Sequence, residues 1–294
     1  MVDPFIPWWL AALCMSVMGS AYLLISQQTK LRSDILVMWR GFGVALVALP
    51  FVLMQSPPED PWFYFYTISI GLFVGYFDFK ILRASALFNA GVVTRVKPIL
   101  IISVFVLWYL LNPTQFWVLV DETPLKFAAI VGLLGLGSAA LYAAQKNSVS
   151  REALVYLMPV LVMGGIVDVF NKSAMVLAPY AQAVVYYMFI VGFCAGFGNL
   201  VQSMRKKTFS GTEIFSKNVV LAGLMVVVAN AGYQLFKNYG MIYTPNPAYM
   251  TLIGFCTPFW VMGYNAIGGV KDKGNVKAEL VFLASVLCLI WITA

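Results

Sequence analysis

The sequence predicts an all-α integral membrane protein of ten transmembrane helices arranged as two inverted five-helix repeats. Three observations predict it: an apolar composition, ten apolar runs of similar length that fill the chain, and short signals that return in the same order in its second half. Of the 294 residues, 61% are hydrophobic and 11% charged, and the mean hydropathy is +0.85. An ordinary soluble domain has about 45–50% apolar and about 25% charged residues.

Cutting the chain at its polar and Pro/Gly breaks leaves runs at 7–26, 35–54, 62–82, 88–111, 125–144, 153–175, 182–203, 217–239, 247–269 and 277–293. Each is close to the roughly 20 residues that cross a hydrocarbon core as a helix, a form that satisfies its backbone groups internally. Short loops use up the remainder, so no stretch is expected to form a soluble or nucleotide-binding domain. The opening "MVDPFIPWWL" has Asp3 and no Lys or Arg. It lacks the positive region of a signal peptide, and the first run is expected to be a retained span.

The formal net charge is +7. Lys30, Arg32, Lys80, Arg83, Lys146, Arg151, Arg205, Lys206, Lys207, Lys271, Lys273 and Lys277 all fall at connections after odd-numbered runs, whereas "QSPPEDP" and "NPTQFWVLVDETP", after even-numbered ones, hold no Lys or Arg. By the positive-inside rule the odd connections are cytoplasmic and both termini lie outside. The charge therefore reads as orientation in a cell membrane, the bacterial inner membrane first, and not as affinity for nucleic acid. The expected partners are the lipid bilayer, a small-molecule substrate and, as a candidate, a second copy of the chain.

Cys14, Cys194, Cys256 and Cys288 lie in apolar runs without ligand spacing and read as small buried hydrophobes; the chain has no histidine. No metal, cofactor or catalytic constellation is expected, and so no enzyme. Gly132, Gly135 and Gly137, like Gly164 and Gly165, read as seams where helices pack closely.

Internal similarity divides the chain. "VMG" at Val17–Gly19 recurs at Val162–Gly164, and "GYFDFK" from Gly75 recurs as "GYQLFK" from Gly232. Further on, "FNAGVVTRVKP" faces "AYMTLIGFCTP", each running into a proline, Pro98 and Pro258. The repeats are 1–148 and 149–294. Five spans per half is an odd number, so the second half enters the membrane from the opposite side, and the interface between halves, near the midplane, is where such folds place substrate.

"RASALFNAGVVTRVKP" (Arg83 to Pro98) and "YTPNPAYMTLIGFCTP" (Tyr243 to Pro258) resemble the segments that open the fourth and ninth helices of drug/metabolite transporters of the EamA type. Arg40 in "MWRGFG" resembles an Arg early in that family's second helix. The resemblance implies a ten-helix secondary transporter with Pro98 and Pro258 at helix kinks. The chain departs from the family at "SPPEDP", where members carry a basic loop and have cytoplasmic termini, and at Arg95 and Lys97, where they have small or apolar residues.

A charged side chain at the bilayer centre costs about 2.5–3.5 kcal/mol on insertion scales. Arg40, Lys80, Arg83, Arg95, Lys97, Lys172 and Lys237 outnumber Asp78 and Asp168 within apolar sequence, and an excess of buried positive charge calls for an anion. The expected substrate is a small organic anion, a carboxylate or phosphate, bound by Arg40, Lys80, Arg95, Lys97, Lys172 and Lys237. Trp39, Tyr187, Tyr233 and Tyr264 would pack on its apolar part, and Asp78 and Asp168 would act as coupling or switch residues. Several alternatives stay open. Arg95 and Lys97 line a cavity if the fourth helix starts near Phe88, or lie in a basic cytoplasmic loop if it starts at Pro98. Asp168 and Lys172, four residues apart, form either a self-neutralising pair or a switchable one. Lys237 snorkels outward or caps the cavity. The competing functions are an exporter of aromatic or cationic compounds such as amino acids or amines, and a flippase for an anionic lipid carrier.

Overall fold

The computed structural model describes residues 6–95, 98–145, 150–207, 211–268 and 275–293; the side chains of residues 95, 98, 99, 144, 145 and 162 fall outside that description. Every regular element among the described residues is helical: α1 (Trp8–Thr29), α2 (Ser33–Leu53), α3 (Pro61–Phe88), α4 (Ala90–Arg95), α5 (Pro98–Leu111), α6 (Pro113–Glu122), α7 (Pro124–Gln145), α8 (Arg151–Met175), α9 (Tyr180–Arg205), α10 (Gly211–Ile214), α11 (Lys217–Tyr243), α12 (Pro247–Gly254), α13 (Thr257–Ile267) and α14 (Val276–Thr293). Among the described residues eight helices are long and apolar enough to cross a membrane, namely α1, α2, α3, α7, α8, α9, α11 and α14; α5 and α6, bent by 103°, would make a ninth if taken as one span. The protein is a multi-pass membrane protein.

One expected span is broken. The ninth run is divided into α12 and α13 with a turn at Phe255 and Cys256, while the fourth carries α4 and α5 with residues 96 and 97 between them outside the described residues. Pro258 is the second residue of α13. Proline has no N–H to give the preceding turn and its ring crowds the carbonyl four residues back, so a continuous helix is opposed there.

The stretch "NPTQFWVLVDETP", expected as a loop, instead contains α6. Pro113 supplies a preset first helical residue. Phe116 then meets Tyr109 and Phe127 edge-on, each at 5.6 Å between ring centroids.

The bundle is held by close antiparallel pairs. At one end of α2, Ser203 Oγ of α9 donates to Asp34 over 2.7 Å; beyond the other end, Gln182 Nε2 at the start of α9 donates to the Ser56 carbonyl over 2.5 Å. Between them the backbones touch. A Cβ on Gly41 would lie 2.5 Å from Gly196 N and 2.6 Å from Gly192 O. Only glycines permit that approach. In the same way α1 packs on α11, α3 on α8, α7 on α14, α5 on α12 and α4 on α13. Arg32, paired with Asp34 at 2.6 Å and Glu213 at 2.9 Å, ties the α1–α2 connection to the α9–α11 connection at one end of the bundle.

The cysteines differ from the expectation of burial. Cys256 is buried, Cys14 and Cys194 are half-buried, and Cys288 is exposed. The inward face of α14 runs through Phe282, Ser285, Val286 and Leu289, and Cys288 lies off it.

Candidate functional site

A cavity of about 190 Å3 opens between α1, α2, α3, α8, α9, α11 and the helices α4, α5, α12 and α13. Helical periodicity aims the side chains that line it. On α3, Val74, Phe77, Asp78 and Ile81 share a face, on α8 Val160, Gly164, Val167 and Asp168 do, and on α11 Asn230, Tyr233, Gln234, Lys237 and Met241 do. Each stripe recurs every three or four residues.

Two ion pairs face this space. Arg40 Nη1 of α2 meets Asp78 Oδ2 of α3. Across the cavity Lys237 Nζ of α11 donates to Asp168 Oδ1 of α8 over 2.7 Å, and Thr251 Oγ1 of α12 donates to Asp168 Oδ2 over 2.8 Å. Arg40 is 3% exposed and Lys237 8%. Left unpaired, such a charge is strongly destabilising, because the interior does not replace the lost hydration. Tyr22 sits beside Asp78 and Arg40, and Tyr187 and Tyr233 beside Lys237 and Asp168, so aromatic rings bridge the two pairs.

A narrow recess leads off between α2, α9 and α11, lined by Arg40, Asn230 and Gln234. Arg40 Nε has no acceptor there, and the side-chain oxygens of Asn230 and Gln234 have no donor, among the described residues. Buried polar atoms are nearly always hydrogen-bonded. Three orphaned groups in one recess are therefore a functional signal.

Of the residues expected at the site, Arg40, Lys237, Tyr187, Tyr233, Asp78 and Asp168 line the cavity. Lys172 does not. Its Nζ donates to the carbonyls of Met241 (2.5 Å), Ile242 (3.0 Å) and Thr244 (2.9 Å) at the C-terminal end of α11. Helix ends leave carbonyls without intrahelical partners and favour a cation. Asp168 is thereby left to a partner 69 residues away, not to Lys172 four residues on. Lys80 Nζ lies 4.1 Å from the centre of the Tyr156 ring, outside the lining, and Arg83 is exposed. Trp39 Nε1 donates to the Ile214 carbonyl over 3.2 Å, and the Tyr264 hydroxyl accepts from Gln28 Nε2; both lie away from the cavity. Arg95 ends α4 but its side chain is outside the described residues, as is the whole of Lys97.

Tyr22, Asn230, Gln234 and Thr251 are lining residues that sequence reasoning passed over. The signal was available for two of them, since Asn230 and Gln234 stand one helical turn apart and Gln234 lies inside the repeated "GYQLFK". The described lining carries two cations and two carboxylates. Of the other expected cations with described side chains, Lys172 is held by carbonyls, Lys80 by aromatic rings, and Arg83 faces outward. Among the described residues no three Cys, Asp or Glu side chains come together as ligands for a metal.

No family model and no curated protein matches the chain.

Proposed function

We propose that the protein is a secondary transporter that moves a small organic metabolite across a cell membrane by alternating access, with the central cavity as its binding site. The observation that carries this reading is that two buried ion pairs from separate helix pairs face one cavity. Ionisable groups inside a membrane bundle are costly and mark substrate and ion pathways. A broken helix beside the site, as α12 and α13 are here, is a further mark of transporters.

The chain is read as ten spans in inverted halves, 1–148 and 149–294, with α4/α5 and α12/α13 each counted as one span. Three features support this. The contact of α1 with α11 has its counterpart in α3 with α8, and that of α5 with α12 in α4 with α13; α2 with α9 and α7 with α14 each join a helix to its own counterpart. A further repeat, "GFG" at Gly41–Gly43 and Gly196–Gly198, falls in chain order between "VMG" and "GYFDFK". Its two copies meet at the α2–α9 crossing, as expected if an axis relating the halves passes there. The charge bias supports cytoplasmic odd connections and outward termini, in a cell membrane of bacterial inner-membrane type.

In this reading the cargo carries an acidic group, carboxylate or phosphate, that competes with Asp78 for Arg40 or with Asp168 for Lys237. Tyr22, Tyr187 and Tyr233 flank its apolar part. A second reading, export of an aromatic or cationic compound, is favoured by the same tyrosines together with the two carboxylates. Tracer counterflow in reconstituted vesicles, using carboxylates, phosphates and amines, tests both. Arg40→Gln and Lys237→Gln are expected to abolish uptake of acidic tracers in protein that still melts cooperatively. Folded variants that keep full uptake, or a wild type that carries no tracer, would sink the proposal.

A further inference from the structure

We infer that the end of α3 carries a binding site for the phosphate headgroup of an anionic membrane lipid, gripped by Arg83 between Lys80 and Lys206. The site lies outside the cavity and stands whatever the cavity carries.

Helix α3 has two opposite faces of unlike use. Val74, Phe77, Asp78 and Ile81 turn toward the cavity. On the other side Phe65, Ile68, Leu72, Tyr76, Arg83 and Leu87 are exposed, at intervals of three, four or seven residues that keep them on one stripe. Helices α8 and α9 pack on α3 and leave this stripe bare. On a membrane-spanning helix acyl chains cover such a stripe. It turns amphipathic at Tyr76 and basic at Arg83, the order in which a bilayer passes from hydrocarbon to headgroups.

Three cations converge on that end. Lys80 Nζ lies 5.7 Å from the centre of the Tyr76 ring and 4.1 Å from that of Tyr156 on α8. Lys206 Nζ, just past α9, lies 5.7 Å from the ring centre of Phe79, which precedes Arg83 by one turn on the same face. None of the three forms an ion pair with a carboxylate among the described residues. Arg151 and Glu152, exposed side by side at the start of α8, offset each other. Lys80 stands eight residues before Phe88, the last residue of α3, about 12 Å along the axis at 1.5 Å per residue. A cation so far from the helix end, held by rings and not by a carboxylate, calls for an anion from the membrane.

The chemistry selects the lipid. A guanidinium matches a phosphate with two parallel N–H bonds, and basic residues beside a membrane span attract anionic headgroups. A phosphocholine headgroup adds a second, positive group, which would meet Lys80 or Lys206. The tyrosine rings that could hold that group are already turned to Lys80. A glycerol phosphate headgroup brings no such charge. Its acyl chains would lie along Leu72, Ile68 and Phe65, which makes a lipid and not a free phosphate the occupant.

The test uses the purified full chain in detergent, titrated with dioleoyl phosphatidylglycerol, dioleoyl phosphatidylcholine or sodium phosphate. Native mass spectrometry counts bound lipid, and thermal shift reads stabilisation. Phosphatidylglycerol is expected to bind about tenfold more tightly than phosphatidylcholine, with sodium phosphate neither stabilising the protein nor displacing the lipid. Arg83→Gln is expected to remove most of that preference, and the triple variant with Lys80→Gln and Lys206→Gln the rest. Lys126→Gln, at an exposed cation in the first turn of α7, is expected to keep it. Should the triple variant not fold, Arg83→Gln decides alone, since its side chain is exposed. Equal binding of the two lipids, an undiminished preference in folded Arg83→Gln, or the same loss from Lys126→Gln overturns the inference. Displacement of the lipid by sodium phosphate overturns it as well, because the occupant would then be a free anion.

Discussion

Asp168 of α8 accepts from Lys237 of α11 at 2.7 Å through one oxygen, while its other oxygen takes Thr251 of α12 at 2.8 Å. One carboxylate thereby joins two long helices and the first half of a broken one. Asp168→Asn leaves Lys237 buried without a counter-charge, and a loss of about 3–5 kcal/mol is expected. A double replacement, Asp168→Leu with Lys237→Met, removes both charges and is expected to recover most of that loss while remaining inactive in counterflow. Melting in detergent and tracer uptake, measured on the same samples, separate stability from function.

Lys172 plays a structural part. Lys172→Met would leave the carbonyls of Met241, Ile242 and Thr244 without their charged donor. Hydrogen bonds to a charged group contribute about 1.5–3 kcal/mol. The variant should melt earlier by a corresponding amount, yet bind cargo with unchanged affinity. A lowered affinity with an unchanged melting point would contradict the capping role.

Glycines are not equivalent along the chain. Gly41→Leu drives a side chain into the backbone of Gly192 and Gly196, and such protein is expected to aggregate on extraction. Gly135 of α7 has nothing within 4 Å of an added Cβ. Gly135→Leu should yield monodisperse protein at wild-type level, as size-exclusion profiles will show.

The cysteines offer a test of burial. Cys288 is exposed on α14 and Cys256 is buried. A membrane-permeant maleimide should modify Cys288 within minutes and spare Cys256 until the protein is unfolded; mass spectrometry of the peptides reads both. Early labelling of Cys256 would mean that the α12–α13 junction is more open than described.

Helix α6 turns 103° away from α5, a direction across the bundle end and not along it. Trp117 and Val118 are exposed on it, beside the acidic pair Asp121 and Glu122. A spin label at position 117 should report a shallow, interfacial depth in bilayers, since tryptophan rings favour that zone. A reading at the bilayer centre would require α6 to continue the α5 span.

Much of the fold was legible because apolar runs of membrane length leave a chain few choices. The proline-terminated segment before Pro258 pointed to the break between α12 and α13. What local reasoning could not reach were partners distant in sequence. Asp168 and Lys172 have favourable helical spacing, yet the bare carbonyls at the end of α11 offered the lysine three acceptors at once, and the acid took Lys237. The stretch after Asn112 looked like a loop because it begins with proline and ends in acids, although proline at a first helical position starts a helix as readily as it ends one. Counting charges along the sequence also does not say which of them share a space: Arg40 and Lys237 line the cavity, whereas Lys80 and Lys172 do not.

The contact of Gly41 with Gly192 and Gly196 has a mechanical consequence. Where two helices meet backbone to backbone they come closest, and side chains such as Phe42 and Phe193 pack beside the crossing and not within it, so the contact can serve as a pivot. Displacement about a pivot grows with distance from it. Arg40, the neighbouring residue, would scarcely shift as α2 tilts against α9, while the Asp34–Ser203 and Ser56–Gln182 hydrogen bonds, near opposite ends of the lever, would travel furthest. If the bundle rocks as the transporter proposal requires, those end contacts are expected to part before the buried arginine moves.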